Sequence, residues 1–387
     1  MKRKLLAASI AGLMMAPAAL ADVTVYGKAN LSYQQLEETY TGAGLDFTSQ
    51  DNWEMLSNAS RIGIKGSHDI SDTLKGIYKI EYQYDATGSN SNFDSRNIYV
   101  GLQHATYGTL IGGKHDTPTK LSQGNVDQFN DLEYADIKNY MVGENREDNI
   151  VMYSTPNFNG LSATIAFMPG EDSGCVNPTN PAACSGNGQD DNNFADEYSV
   201  SVNYTQKDAF SVAIAMDDNV ENTDILRVAG QVYLGSVTLG ALAQEATVHD
   251  DYSVLGVPTA GIGKMGGIAK NISTDNGLYD IASATGVGVW NKQSAMVVSA
   301  AWTIDDYTLK AQYGSSKTST DSSVDPLNLA EFEIESTSVG VDYQIDKYSK
   351  VFAYYSLLDA NPDAAFTKGT IKDDQWQTFG VGIEMNF

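Results

Sequence analysis

The chain is short of basic residues, cysteine and proline, and it has no long apolar run beyond its N-terminal segment. Lys and Arg number 24 against 49 Asp and Glu, a formal net charge of −25, which excludes nucleic acid as a partner because a phosphate backbone needs the opposite sign. Only Cys175 and Cys184 occur, so the chain can form at most one internal disulfide. No later stretch approaches the roughly 20 consecutive apolar residues of a membrane-spanning helix, so if the protein sits in a membrane, strands must put it there. Pro is scarce, at 9, while Gly (35), Tyr (22) and Phe (12) are abundant, the balance of an all-β chain with glycine-bearing turns and aromatic belts. A mean hydropathy of −0.28 decides nothing, since a transmembrane barrel needs oily side chains only at alternate strand positions.

The ends carry the first positive signals. Lys2, Arg3 and Lys4, then the apolar Leu5 to Met15, then Ala19-Leu20-Ala21 ahead of Asp22 describe a secretory signal peptide over 1–21, cleaved after Ala21, and leave one domain over 22–387. At the other end Phe379, Val381, Ile383, Met385 and Phe387 share one parity while Thr378, Gly380, Gly382, Glu384 and Asn386 share the other. That is a strand with one oily and one wet face, running to the carboxyl end without cap or polar tail. Such an ending resembles the closing strand of outer-membrane β-barrel proteins, in which a terminal aromatic such as Phe387 is associated with recognition by the assembly machinery.

The same period recurs along the chain. Val23, Val25, Leu31 and Tyr33 face away from Lys28, Asn30, Ser32 and Gln34; Tyr78, Ile80 and Tyr82 face away from Lys75, Lys79, Glu81 and Gln83. Short turns at 69–73, 105–107, 156–160, 206–208, 234–235, 305–306 and 345–349 alternate with longer polar connections at 36–58, 85–94, 115–148, 169–196, 218–223, 248–291, 317–333 and 358–374. Seven short and eight long connections separate sixteen strands. The predicted fold is an all-β transmembrane antiparallel barrel with short periplasmic turns, long external loops and no free edge. Sixteen strands leave room for an aqueous channel where eight would be filled by side chains. The connection over 115–148 is the candidate to narrow it by folding into the lumen, because it is long, lacks sustained alternation and carries Asp116, Asp127, Asp131, Glu133 and Asp136. Inward Lys28, Arg61, Lys65, Lys79, Arg96 and Lys114 would oppose these acids across the water and orient permeant dipoles.

Several fragments resemble the trimeric general porins of Gram-negative outer membranes: Tyr26-Gly27-Lys28, the run Ser60 to Gly66, Ser95-Arg96-Asn97 through Leu102, Gly108 to Lys114, and Tyr153 to Leu161. The resemblance implies a homotrimer, with the weakly alternating Asn97 to Gln103 in the subunit interface, set among outer-membrane lipid and lipopolysaccharide. It implies passive diffusion of small hydrophilic solutes and ions, and no cofactor. Lys28, Arg61 and Arg96 match the family's basic cluster, and Lys114 falls where many members carry a basic residue. The loop departs from the pattern: relatives read Pro-Glu-Phe-Gly-Gly-Asp where this chain has Asp127-Gln128-Phe129-Asn130-Asp131, so Phe129 and Asp131 align and Asp127 is only a substitute acid. Ser154 replaces an Arg. With the acidic balance of the chain, these departures lead to an expected modest cation preference.

Other features lead away from chemistry. Gly261-Ile262-Gly263-Lys264-Met265-Gly266 fits a dinucleotide fingerprint by letters but sits in a long loop without flanking strand and helix. His68, His104, His115 and His249 are too scattered in the predicted topology for a metal site, and no Gly-x-Ser-x-Gly elbow accompanies them. The run Asp190 to Asn193 reads as a solvated loop face. Cys175 and Cys184 fall in one predicted external loop with eight residues between them, a spacing that in an exported protein is expected to make a loop disulfide, with two free thiols as the alternative. Three function classes follow in order: a general diffusion porin, a substrate-selective channel of the same architecture with Phe352, Tyr354 and Trp376 as inward aromatics, and an outer-membrane enzyme or adhesin, for which no catalytic constellation is found.

Overall fold

The computed structural model describes residues 21–42, 45–169, 194–221, 223–249, 292–319, 331–362 and 373–387; residues 1–20 of the signal segment, both cysteines, Asp190 to Asn193 and Gly261 to Gly266 lie outside them. The strands in chain order are β1 (Ala21–Gly42), β2 (Leu45–Ser57), β3 (Arg61–Ser71), β4 (Leu74–Tyr84), β5 (Phe93–His104), β6 (Gly108–Asp116), β7 (Arg146–Ser154), β8 (Leu161–Met168) and β9 (Glu197–Gln206). They continue as β10 (Phe210–Val220), β11 (Thr223–Leu234), β12 (Val237–Val248), β13 (Lys292–Ile304), β14 (Tyr307–Ser319), β15 (Glu331–Gln344), β16 (Ser349–Pro362) and β17 (Asp373–Asn386). Each pairs antiparallel with its neighbour, and β1 closes the ring against β17 from Lys28↔Asn386 to Thr41↔Asp373. The last residue completes the seam: Gly27 N–H donates to the Phe387 carbonyl at 2.8 Å and Phe387 N–H returns the bond at 3.0 Å.

β2 and β3 are two halves of one stave. Both lie along β1, β2 opposite Leu31 to Gly42 and β3 opposite Ala21 to Lys28, and the break between them is a kink at Asn58-Ala59-Ser60 with Ala59 at φ 49°. The barrel therefore has sixteen staves, as the alternation predicts. Two expected connections are corrected: residues 36–58 are not a loop, since β1 continues to Gly42 and β2 begins at Leu45, and 218–223 is a tight turn, since β10 runs to Val220 and β11 begins at Thr223. Oily alternation marks a strand only where it crosses hydrocarbon, and the water-exposed upper wall carries Glu37, Asp51, Asn52 and Glu54 instead, so periodicity was blind to it.

The expected facing of β17 holds. Phe379, Val381, Ile383 and Met385 point outward and exposed, while Trp376 and Thr378 are buried inward. The interior, however, is not uniformly wet. Between β6 and β7 the chain enters the barrel through a short helix α1 (Pro118–Ser122), capped by Thr117 Oγ1 accepting from Lys120 N–H, and a 3-10 turn at Ile137–Asn139 capped by Asp136. This loop lies on the inner face of β9 to β17. Val126, Ile137, Tyr140, Met141 and Val142 pack against Ala229, Leu242, Ala246, Val297 and Leu358, and Phe129 and Leu132 against Phe352 and Tyr354. Small inward residues make the seat: a Cβ on Gly314 would overlap the Tyr140 ring. Much of the inner wall from β9 to β17 is thus a core covered by the loop, while the wall built from β1 to β6 faces the gap that remains beside it.

Candidate functional site

The loop is fixed to the wall by polar staples as well as by this core. Arg227, fully buried on β11, donates to Gln244 Oε1 at 2.7 Å, Glu144 Oε1 at 2.8 Å, the Thr119 carbonyl at 3.1 Å and the Val142 carbonyl at 3.2 Å. One guanidinium thereby ties both the entering and the leaving arm of the loop to one strand, using the fork of donors that lysine lacks. Thr119 Oγ1 also donates to Asp217 Oδ1 at 2.5 Å, Gln293 Oε1 accepts from Val142 N–H at 3.0 Å, and Gln312 Oε1 from Gln128 N–H at 2.8 Å. Burial drives the Glu144 carboxyl above its ordinary range, with Arg227 and Lys120 working against that rise.

Opposite this wall the loop meets the basic staves. Lys28 Nζ reaches Asp131 Oδ2 at 2.6 Å and lies 3.7 Å from Glu384, and Arg61 approaches the same Asp131 oxygen at 3.4 Å. Burial pushes Asp131 up, but Lys28 and Arg61 outweigh it and hold the carboxyl below the usual carboxylate range. Arg96 pairs with Glu81 at 3.0 Å and Lys79 with the same carboxylate at 3.2 Å. Asp116 bridges Lys120 at 3.1 Å and Arg146 at 2.9 Å. What stays open between loop and wall is a cavity of about 540 Å³ lined by Arg61, Arg96, Asp131, Glu133, Lys138 and Arg146 among others.

The expected separation of acids on the loop from bases on the wall is therefore not what the fold builds. Acid and base alternate on both sides, mostly in direct pairs. Asp127 lies on the cavity's edge but is buried, and its carboxylate accepts from Phe129 N–H, Ile137 N–H and Gln312 Nε2, so it shapes the loop. Burial, and then the charge of Asp136, raise its pKa well above the carboxylate range. Glu133 is exposed, 4.0 Å from Lys138. Lys65 stands over the Tyr26 ring at 5.2 Å and Lys114 pairs with Asp148 at 2.9 Å; neither lines the cavity. Lys120, Lys138 and Arg146 lie within the stretch read for its acids alone, and Glu81 had been placed inward by parity without a role. The signal for Arg227 was there too: a lone charge of inward parity between Ile225 and Ala229.

At the rim away from the short turns, His249 Nδ1 lies 2.8 Å from Asp224 Oδ1, and these two with Asp218 bring their ligand atoms within 4.8 Å of one another. The scatter of the four histidines along the chain gives no sign of this grouping, because His249 meets carboxylates of the β10–β11 hairpin rather than another histidine.

A sequence profile described as Gram-negative porin matches residues 6–363. The chain belongs to that porin family. Among its relatives, the major outer membrane protein P.IB of Neisseria gonorrhoeae is 28% identical over 178 residues, 45% of this chain and 50% of that protein. An outer membrane porin protein of Bordetella pertussis is 30% identical over 184 residues, 43% of this chain and 48% of that protein. The porin spans about half the length of the curated relatives it matches. Solved structures share its fold along nearly the whole chain: the anion-selective porin from Comamonas acidovorans has a TM-score of 0.65 at 16% identity, covering 95% of this porin and 100% of that chain. OmpF of Salmonella typhi has a TM-score of 0.58 at 19% identity, covering 94% and 97%. The family places this porin in the outer membrane, among channel-forming proteins and not enzymes.

Proposed function

We propose that this porin is an open, homotrimeric channel for passive diffusion of small hydrophilic solutes and ions, with a modest cation preference set at its external mouth. The observation that carries the reading is the polar gap of about 540 Å³ between loop and basic wall, inside a closed barrel of oily exterior. Because its charges are largely paired across short distances, the gap itself offers a permeant ion little net bias. The upper ends of the staves do: Glu37, Glu38, Asp51 and Glu54 on β1 and β2, and Asp218 and Asp224 on β10 and β11, outnumber Lys292 and Lys317 of β13 and β14 around the entrance. Outward Val100 and Leu102 on β5, with Gly101 between them, offer the apolar surface a trimer contact needs. Export with cleavage after Ala21, contact with lipopolysaccharide, and a role of Phe387 in assembly belong to the same reading. The substrate-selective alternative loses its aromatic ladder: Phe352, Tyr354 and Trp376 do point inward, but they pack beneath the loop and present no track to a solute.

Planar-bilayer recording on refolded protein tests this. Triplet conductance steps and a reversal potential favouring cations at about 0.1 M salt are expected, with the preference shrinking toward about 1 M as the Debye length falls from about 10 Å to about 3 Å. Anion preference, or a cation preference indifferent to salt, overturns the assignment to the mouth; silence of correctly inserted protein overturns the channel.

A further inference from the structure

Among the described residues, Asp218, Asp224 and His249 are the one grouping of three potential metal ligands, with a ligand atom from each lying within 4.8 Å of the other two. Three neighbouring staves supply them. Asp218 stands near the end of β10, Asp224 near the start of β11 and His249 directly after β12, and the register sets Asp224 opposite Thr247, two residues before His249. The tight β10–β11 turn brings the two carboxylates together, with Asn219 bent at φ 58° beside Asp218. All three side chains take one face. Asp217, Thr223, Ile225 and Ala246 are buried on the inner side, so Asp218, Asp224 and His249 share the outward parity of the exposed Met216 and Leu226. The grouping therefore faces away from the lumen and stands apart from permeation. Donors from outside the trio hold its carboxylates: Tyr198 O–H on β9 donates to Asp218 Oδ2 at 3.2 Å, and Asn219 N–H to Asp224 Oδ1 at 2.8 Å. Outer hydrogen bonds of this kind orient the ligands of a metal site.

We propose that Asp218, Asp224 and His249 bind a divalent transition-metal ion, of which zinc is the representative, on the outer face of the external rim. One imidazole nitrogen with two carboxylates is a mixed donor set. Calcium and magnesium are held by oxygen alone, whereas imidazole suits zinc, copper, iron and nickel. Zinc bonds of about 2.0–2.2 Å set tetrahedral ligand atoms about 3.4 Å apart, so a spread of 4.8 Å closes by modest rotation of side chains that are only part-buried. His249 Nδ1 and Asp224 Oδ1 already lie 2.8 Å apart, so these two need only part slightly to admit the ion. Three protein ligands leave a fourth position to water. A bound ion ties β10, β11 and β12 together where their shared pairing ends.

The test is calorimetric titration of the refolded, chelator-treated full chain in detergent, with zinc chloride as the probe and calcium chloride as the competitor. One saturable zinc per chain is expected, and calcium at about a hundred-fold excess should fail to displace it. Asp218→Asn and His249→Ala should each weaken zinc binding at least about tenfold. His104→Ala, at the opposite end of the barrel, should leave it unchanged. Zinc should also slow hydrogen exchange at the β10–β11 turn and the end of β12 in the wild type and not in His249→Ala. No saturable zinc, displacement by that excess of calcium, or a loss of less than about tenfold in both variants overturns the site. Should one variant fail to refold, the other decides. Conductance is scored separately: a porin that binds zinc but stays silent overturns the channel reading and leaves this site standing.

Discussion

Replacing Arg227 by Met should undock the constriction loop while leaving the barrel closed. Arg227 is fully buried and Glu144, its partner at 2.8 Å, is nearly so, so the substitution strands a carboxylate inside the wall. Breaking a buried pair from one side costs about 3–5 kcal/mol. Glu144 has an escape, because it can take up a proton; at pH 7 that costs under about 4 kcal/mol for a group whose ordinary pKa is about 4.3, at about 1.4 kcal/mol per unit. The loop should thus lose about 3–4 kcal/mol of docking at neutral pH, and the loss should shrink by about 1.4 kcal/mol for each unit of acidification. Lys120 and Lys138, half-buried in the docked loop, supply the assay. When opening is fast relative to cleavage, trypsin reports the opened population, and about 3–4 kcal/mol corresponds to a roughly hundred- to thousand-fold faster cut. Adding Glu144→Gln should recover most of the protection, since a neutral pair leaves no stranded charge. A cleavage rate within about threefold of wild type near pH 8, or a double variant more labile than the single one, would refute the clamp.

Asp131→Asn leaves Lys28 and Arg61 without their shared carboxylate, so the reversal potential should move in the anion direction; an unchanged potential would mean that this contact does not border the ion path. Gly314→Ala places a methyl where the Tyr140 ring lies and should cost about 1–3 kcal/mol of loop docking, with smaller or noisier single-channel currents that Tyr140→Leu relieves. The pH response has two parts of opposite sign. Asp127, held above the carboxylate range by burial, keeps a proton that the unfolded chain releases, so docking strengthens as pH falls from about 8 to about 5. Asp131, held below that range, keeps its ion pairs through the same interval and loses them only as pH falls through its lowered pKa, so tryptic protection of the wild-type loop should rise on mild acidification and collapse below about pH 4.

The barrel was legible because each stave answers to two solvents at once. Phe379 to Phe387 shows hydrocarbon on one parity and a wet or small face on the other within nine residues, and Asp305-Asp306 marks the turn between β13 and β14 without reference to anything distant. The upper wall of β1 and β2 escaped because water lies on both of its faces and no alternation is demanded. The site was half legible. Parity put Lys28, Arg61 and Arg96 inside, and loop length singled out 115–148. Nothing local said that Asp131 would meet Lys28 across 103 residues of chain, or that Glu144 would be held by Arg227 across 83. Facing is a property of a single strand, and sequence alone determines it. Which acid neutralises which base depends on where the loop comes to rest on the far wall, and only the closed barrel, by bringing the seat of Gly314, Ala229 and Ala246 under that loop, decides it.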